Sequence, residues 1–132
     1  MNPYASKATS LRYVYVDMEL KPGGMYFSPV KIRFLYDSQD KSVKYCDDDL
    51  FHHQEIITDY QDEVNIDDMF TCGVAPYTIL DSPCFHIFVK SGKRKRQIVF
   101  ENSDDILEYY NSYKWVINLF RKICEEKHLI KL

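Results

Sequence analysis

No lysine or arginine occurs in the forty-five residues between Lys44 and Lys90. A basic stripe that could track a polyanion is therefore excluded from the middle third of the chain. Glycine is scarce, with four residues in all. The sequence has neither a GxSxG elbow nor a Gly-rich phosphate loop, and so lacks the local signatures of an α/β-hydrolase or a nucleotide-binding enzyme. Long apolar runs are missing as well. None approaches the ~20 residues of a membrane-spanning helix, and Met1 to Ser10 has no apolar core of a secretory signal, so a cytoplasmic location is expected. The four cysteines, Cys46, Cys72, Cys84 and Cys124, show no CxxC spacing. They form no zinc framework or redox pair and are expected to be reduced and mostly buried; a Cys72–Cys84 disulfide would need an oxidising compartment.

What the cation-free stretch does contain is acid: Asp47, Asp48, Asp49, Glu55, Asp59, Asp62, Glu63, Asp67, Asp68 and Asp81. Residues 1–44 carry seven Lys/Arg against four acids and residues 90–132 carry ten against six, so the blocks run +3, −10 and +4 and sum to the formal net charge of −3. A dipolar molecule hides behind that small net charge. Such a field bears on partners and encounter rates more than on fold. At 132 residues the chain is expected to be a single domain, residues 1–132, and 15% aromatic content argues against disorder. Most of the eleven tyrosines are expected to fill strand and core positions.

Alternation defines the N-terminal third. Val14, Val16, Met18 and Leu20 oppose Tyr13, Tyr15, Asp17 and Glu19 in a half-buried strand that ends at Pro22-Gly23-Gly24. Val30, Ile32, Phe34 and Tyr36 make a second strand, and a turn at Asp37 to Lys41 leads to a third around Val43 and Tyr45, giving an antiparallel meander. Asp47 to Ile57 reads as a short helix with acids over its first turn. Gly73 and Pro76 read as loop, and Tyr77 to Leu80 as a further strand. Pro83 opens a hairpin with Phe85, Ile87 and Val89 facing Ile98 and Phe100. Asn102 or Ser103 then caps one helix of about twenty residues, with Ile106, Tyr110, Tyr113, Ile117, Phe120 and Cys124 in its apolar stripe. The expected fold is α+β: an antiparallel sheet of five to six strands, an N-terminal meander plus a C-terminal hairpin, packed by one long C-terminal helix. The ending from Phe85 to Ile123, a hairpin with a basic turn and then an aromatic-rich helix, resembles the last strands and closing helix of pleckstrin-homology domains. That resemblance implies an adaptor binding anionic lipid or phosphate through Lys21, Lys31, Arg33 and the hairpin tip.

Three function classes follow. The first is a non-enzymatic interaction module, an inhibitor or immunity-type protein whose acidic surface imitates nucleic acid and occludes a basic site on a nuclease or other nucleic-acid-handling protein. Its expected contact residues are Asp47, Asp48, Asp49, Phe51, Glu55, Asp59, Asp62, Glu63, Asp67 and Asp68, with Phe51 and exposed tyrosines as apolar anchors. Second comes the anion-binding adaptor, using Lys21, Lys31, Arg33, Lys90, Lys93, Arg94, Lys95 and Arg96. The five charges from Lys90 to Arg96 are expected to lack local partners, and pairing them with the acidic block of a second copy would give a homodimer. A small metal-dependent enzyme is third. Asp47, Asp48, Asp49, His52 and His53 crowd together without HExxH or EF-hand spacing, and His86 would serve as a base only with a distant acid. No metal, cofactor or catalytic residue is assigned.

Overall fold

A computed structural model describes residues 2–21, 29–48, 50–74 and 83–127. In chain order the elements are α1 (Pro3–Lys7), β1 (Tyr13–Lys21), β2 (Val30–Asp37), β3 (Ser42–Cys46), β4 (Glu55–Ile57), α2 (Ile66–Thr71), β5 (Cys84–Ser91), β6 (Arg94–Glu101), α3 (Asp104–Tyr109), a 3₁₀ turn at Asn111–Tyr113, and α4 (Lys114–Glu126). The six strands form one antiparallel sheet in the order β4-β3-β2-β1-β5-β6. The N-terminal meander and C-terminal hairpin expected from alternation are both present, joined where β1 pairs with β5. Tyr77 to Leu80 lies outside the described residues.

Each face of the sheet has its own core. On one, Val16, Met18, Ile32, Phe34, Val43, Phe85, Ile87 and Phe100 pack beneath Tyr110, Tyr113, Val116, Ile117 and Phe120 of the C-terminal helices. Period-2 burial in the strands meets a helical stripe, and each fully buried large side chain contributes roughly 1.5–3 kcal/mol. The other face is only partly covered, by a smaller cluster of Tyr4, Ala8, Tyr15, Leu35, Cys46 and Phe51. Here α1 is the lid. Asn2 caps it, its side-chain oxygen accepting from the Tyr4 and Ala5 N–H groups at 3.0 and 3.2 Å, and Pro3 follows where a missing N–H costs nothing. Its far end is tied to the β5–β6 turn by the Gly92 N–H, which donates to the Ala8 carbonyl at 2.8 Å. Gly92 has φ +62°, and a Cβ there would lie 2.6 Å from Leu11 Cδ2. Glycine suits that turn on both counts.

One expected helix is overturned and the bounds of another are corrected. The described residues of 47–57 hold no helix: a bend at Asp47 and Asp48 and a turn at Leu50 lead to the short edge strand β4. The Asp48 carboxylate accepts from the N–H groups of Leu50, His52 and His53 at 2.7, 3.2 and 3.4 Å, competing for the donors a helix would need. Phe51, at φ +59°, cannot continue a right-handed helix. The long C-terminal helix is present as α4, but it is shorter than the expected length of about twenty residues, because α3 and the 3₁₀ turn precede it as separate elements. Ser103 caps α3, accepting from the Ile106 N–H at 3.4 Å, but Tyr110 leaves helical geometry at φ −98°, ψ 55°. Its ring is fully buried and stacked on Phe100, 4.3 Å between centroids. The break and the 3₁₀ turn that follows bury Tyr110 and Tyr113 together, a packing gain that outweighs the hydrogen bonds lost in one helical turn.

Candidate functional site

The sheet divides the acidic block in two. Asp47 and Asp48 lie at the exit of β3, beside the smaller cluster. Burial raises the Asp48 carboxyl, but the main-chain N–H groups around it outweigh that and hold it below the ordinary aspartate value. Phe51 is not the exposed anchor expected of it. It is buried, packs edge-to-face on Tyr4 at 4.8 Å and lies under the Arg33 guanidinium at 5.7 Å. Glu55 faces the helices, accepting from the Tyr45 hydroxyl and from Lys127 Nζ at 3.1 Å. Those bonds lower its pKa, while burial and then Glu55 itself raise that of Tyr45. Asp49 and Asp81 lie outside the described residues.

Asp59, Asp62, Glu63, Asp67 and Asp68 belong to the helix side and form a ridge running from β4 to α2. Tyr60 pins it: its one hydroxyl proton is shared between Asp62 Oδ2 at 3.0 Å and the Trp115 carbonyl at 3.3 Å, and the ring packs on Tyr36 and Trp115. Asn65 caps α2, accepting from the Asp68 N–H at 3.1 Å. Three shallow concavities of about 280, 310 and 420 Å³ follow the ridge. In the largest, Leu11, Val64 and Ile66 supply apolar surface while Glu63 and Asp67 supply carboxylates. Leu11 is 66% exposed.

Folding also brings cations from the flanks to this ridge. Arg94 pairs with Asp67 at 2.6 Å and lies over the Phe70 ring at 4.7 Å. Lys114 pairs with Glu108 at 2.9 Å, and Lys122 lines the smallest concavity. The ridge is therefore less negative than the linear count implies, and the eight acids of the block among the described residues do not share one face.

The basic candidates are not gathered into one anion site. Lys21 and Lys31 lie against Glu19 and Asp17 at 3.6 and 3.4 Å, and Arg33 is buried on the α1 side of the sheet. Nor is the hairpin tip without local partners. Lys90 donates to the Ala5 carbonyl at 3.1 Å, while Arg96 donates to the Met69 and Cys72 carbonyls at 3.1 and 2.6 Å on the helix side. Lys93 and Lys95 are exposed. The described residues contain no group of three His, Cys, Asp or Glu able to hold a metal ion. All four cysteines are free thiols. His86 is half-buried on β5 opposite Glu19; burial, then Lys21, lower its pKa, and Glu19 partly opposes them.

Sequence reasoning missed Leu11, Val64 and Ile66. Val64 and Ile66 were visible as apolar residues interleaved with Glu63, Asn65 and Asp67, an alternation at the threshold of α2. Nothing local marks Leu11, which reaches the groove only because the strands beside it pair as they do. No family model matches this chain, and no curated protein or solved structure does either.

Proposed function

We propose that the chain is a non-enzymatic interaction module whose Asp59–Asp68 ridge, with the neighbouring Leu11–Val64–Ile66 groove, docks on a basic patch of another protein and occludes it. The supporting observation is the joining of an exposed apolar strip to acids on its rim. Carboxylates speed encounter with a basic surface, and apolar contacts at the centre slow departure. Proteins that handle nucleic acid carry such basic surfaces for phosphate, and they are the partner class this chemistry fits. Asp62, Glu63 and Asp67 act as the polar rim. Leu11 takes the anchoring role that Phe51 is too buried to fill.

The test is capture of partners from host lysate with three baits: wild type, an Asp62→Asn/Glu63→Gln/Asp67→Asn variant, and Leu11→Ser. A nucleic-acid-handling partner should bind wild type at low salt and weaken as salt rises, as exposed charges are screened over a Debye length of ~10 Å at 0.1 M. Either variant should weaken it at least about tenfold. Identical partner lists for the three baits would remove the ridge and groove from consideration.

A further inference from the structure

The part of the sheet's other face that α1 does not cover among the described residues carries a second arrangement, independent of the docking ridge. Register places Lys31, Glu19 and His86 side by side across β2, β1 and β5, and Arg33, Asp17, Phe88 and Gln97 in the adjacent row across β2, β1, β5 and β6. A basin of about 250 Å³ lies over these rows, lined by Asp17, Glu19, Lys31, His86, Phe88 and Gln97 among others. That is below the ~300–1,000 Å³ of sites that take drug-sized ligands and suits a small metabolite. The floor is rigid, because β1 and β5 are paired on both sides.

Charge is arranged by sign. Two carboxylates, Asp17 and Glu19, project from the central strand, with the Lys31 ammonium on one flank and the His86 imidazole and Gln97 carboxamide on the other. Asp17 is held in position from below. Asn2, the cap of α1, donates to the Tyr15 hydroxyl at 2.8 Å, and that buried hydroxyl donates to Asp17 Oδ2 at 3.1 Å. The ion pairs that Lys31 and Lys21 make here among the described residues are loose. Lys31–Asp17 at 3.4 Å and Lys21–Glu19 at 3.6 Å contrast with Arg12–Asp37, which closes in two bonds of 2.8 and 2.7 Å. Charge-assisted bonds at their best lie near 2.7–2.9 Å, so the basin retains capacity for a better partner on both signs.

We propose that this basin binds a small zwitterion of the α-amino-acid type, its ammonium on Asp17 and Glu19, its carboxylate on Lys31, and its side chain against Phe88 and Gln97. An ion of one sign would meet the opposing group of the basin within the same row. A zwitterion satisfies both signs, replacing one loose internal pair with two closer ones. The half-buried Phe88 ring adds an apolar wall that favours leucine- or phenylalanine-like side chains over glycine.

The experiment is an amide-resolved NMR titration of the full chain with leucine and phenylalanine, set beside the matching amines without a carboxylate and the N-acetylated amino acids without an ammonium. The expected result is saturable shifts at β1, β5 and β6, at least about tenfold weaker for either class of analogue. Asp17→Asn should weaken binding by at least that factor. Gln97→Ala, at an exposed position that leaves the core intact, should weaken it several-fold, and Glu125→Gln, at an exposed position on α4, should leave it unchanged. Absence of saturable shifts, equal affinity for zwitterion and analogues, or wild-type affinity in both Asp17→Asn and Gln97→Ala would overturn the proposal. None of these results depends on whether the ridge binds a protein.

Discussion

Trp115, the single tryptophan, shows how one atom can set the sign of a substitution. Its ring is 3% exposed and wedged against Tyr36 and Tyr60 at 5.6 and 6.1 Å, yet its indole N–H finds no acceptor among the described residues. A buried donor left unpaired costs ~1–3 kcal/mol. Trp115→Phe gives up some packing and removes that cost, so its stability should stay within about 1 kcal/mol of wild type. Trp115→Ala should lose roughly 3–5 kcal/mol, because it empties the site. Urea unfolding of the two variants separates the terms, and a Phe variant as unstable as Ala would mean that the indole N–H is satisfied after all. Residue-scale reading from sequence also met its limits in the charges. Counting acids from Asp47 to Asp68 grouped the ridge with Asp47, Asp48 and Glu55, which lie apart from it, and did not place Arg94 and Lys122 on the same surface.

Among the elements, those with a long period were legible and those made by a few residues were not. The alternation in β1, β2, β3, β5 and β6 and the stripe of the C-terminal helices were plain, since burial on one face imposes a repeat. By contrast α1 and β4 are five and three residues long, too short for any period to emerge. For α1 the signal was the Asn2-Pro3 pair, a cap followed by a first-turn proline. The interruption at Tyr110 was invisible because residues three apart share a face in 3₁₀ and α geometry alike. The α1 lid can be tested by its anchor, Tyr4, which is 2% exposed and packs on Phe51 in the cluster that buries Cys46. Tyr4→Ala should cost about 3 kcal/mol and make Cys46 reactive toward a thiol reagent. Cys124, in the main core with its thiol pushed up to about 11 by burial, should stay protected. Mass mapping of alkylated peptides reads both at once, and continued protection of Cys46 would show that α1 is not its cover.

For the whole molecule, the carboxyls whose pKa values fall on folding set the acid limit of stability. The Arg12 side chain, with help from the Gln39 and Asp40 N–H groups, brings Asp37 down from 3.8 to about 2, and Glu55 and Asp48 are lowered as well. A depressed folded-state pKa gives stability that is fully present above the unfolded value and lost as pH falls toward the folded one. Denaturant unfolding should therefore weaken steeply between about pH 4 and pH 2. His86, lowered from 6.5, adds a shallower decline that begins below that value. Arg12→Ala should remove part of the steep limb, and an unchanged profile would place the acid sensitivity elsewhere. The joining of β1 to β5 has a kinetic consequence of its own. Every other strand pair closes over a short loop, whereas Tyr15 meets Lys90 and Lys21 meets Cys84 across more than sixty residues. The β1–β4 meander and the β5–β6 hairpin close locally, and the native sheet is complete only when the inner edges of β1 and β5 find each other. Contacts so far apart in sequence are expected to form last, and until they do the inner edges of β1 and β5 are open to pairing with the wrong partner.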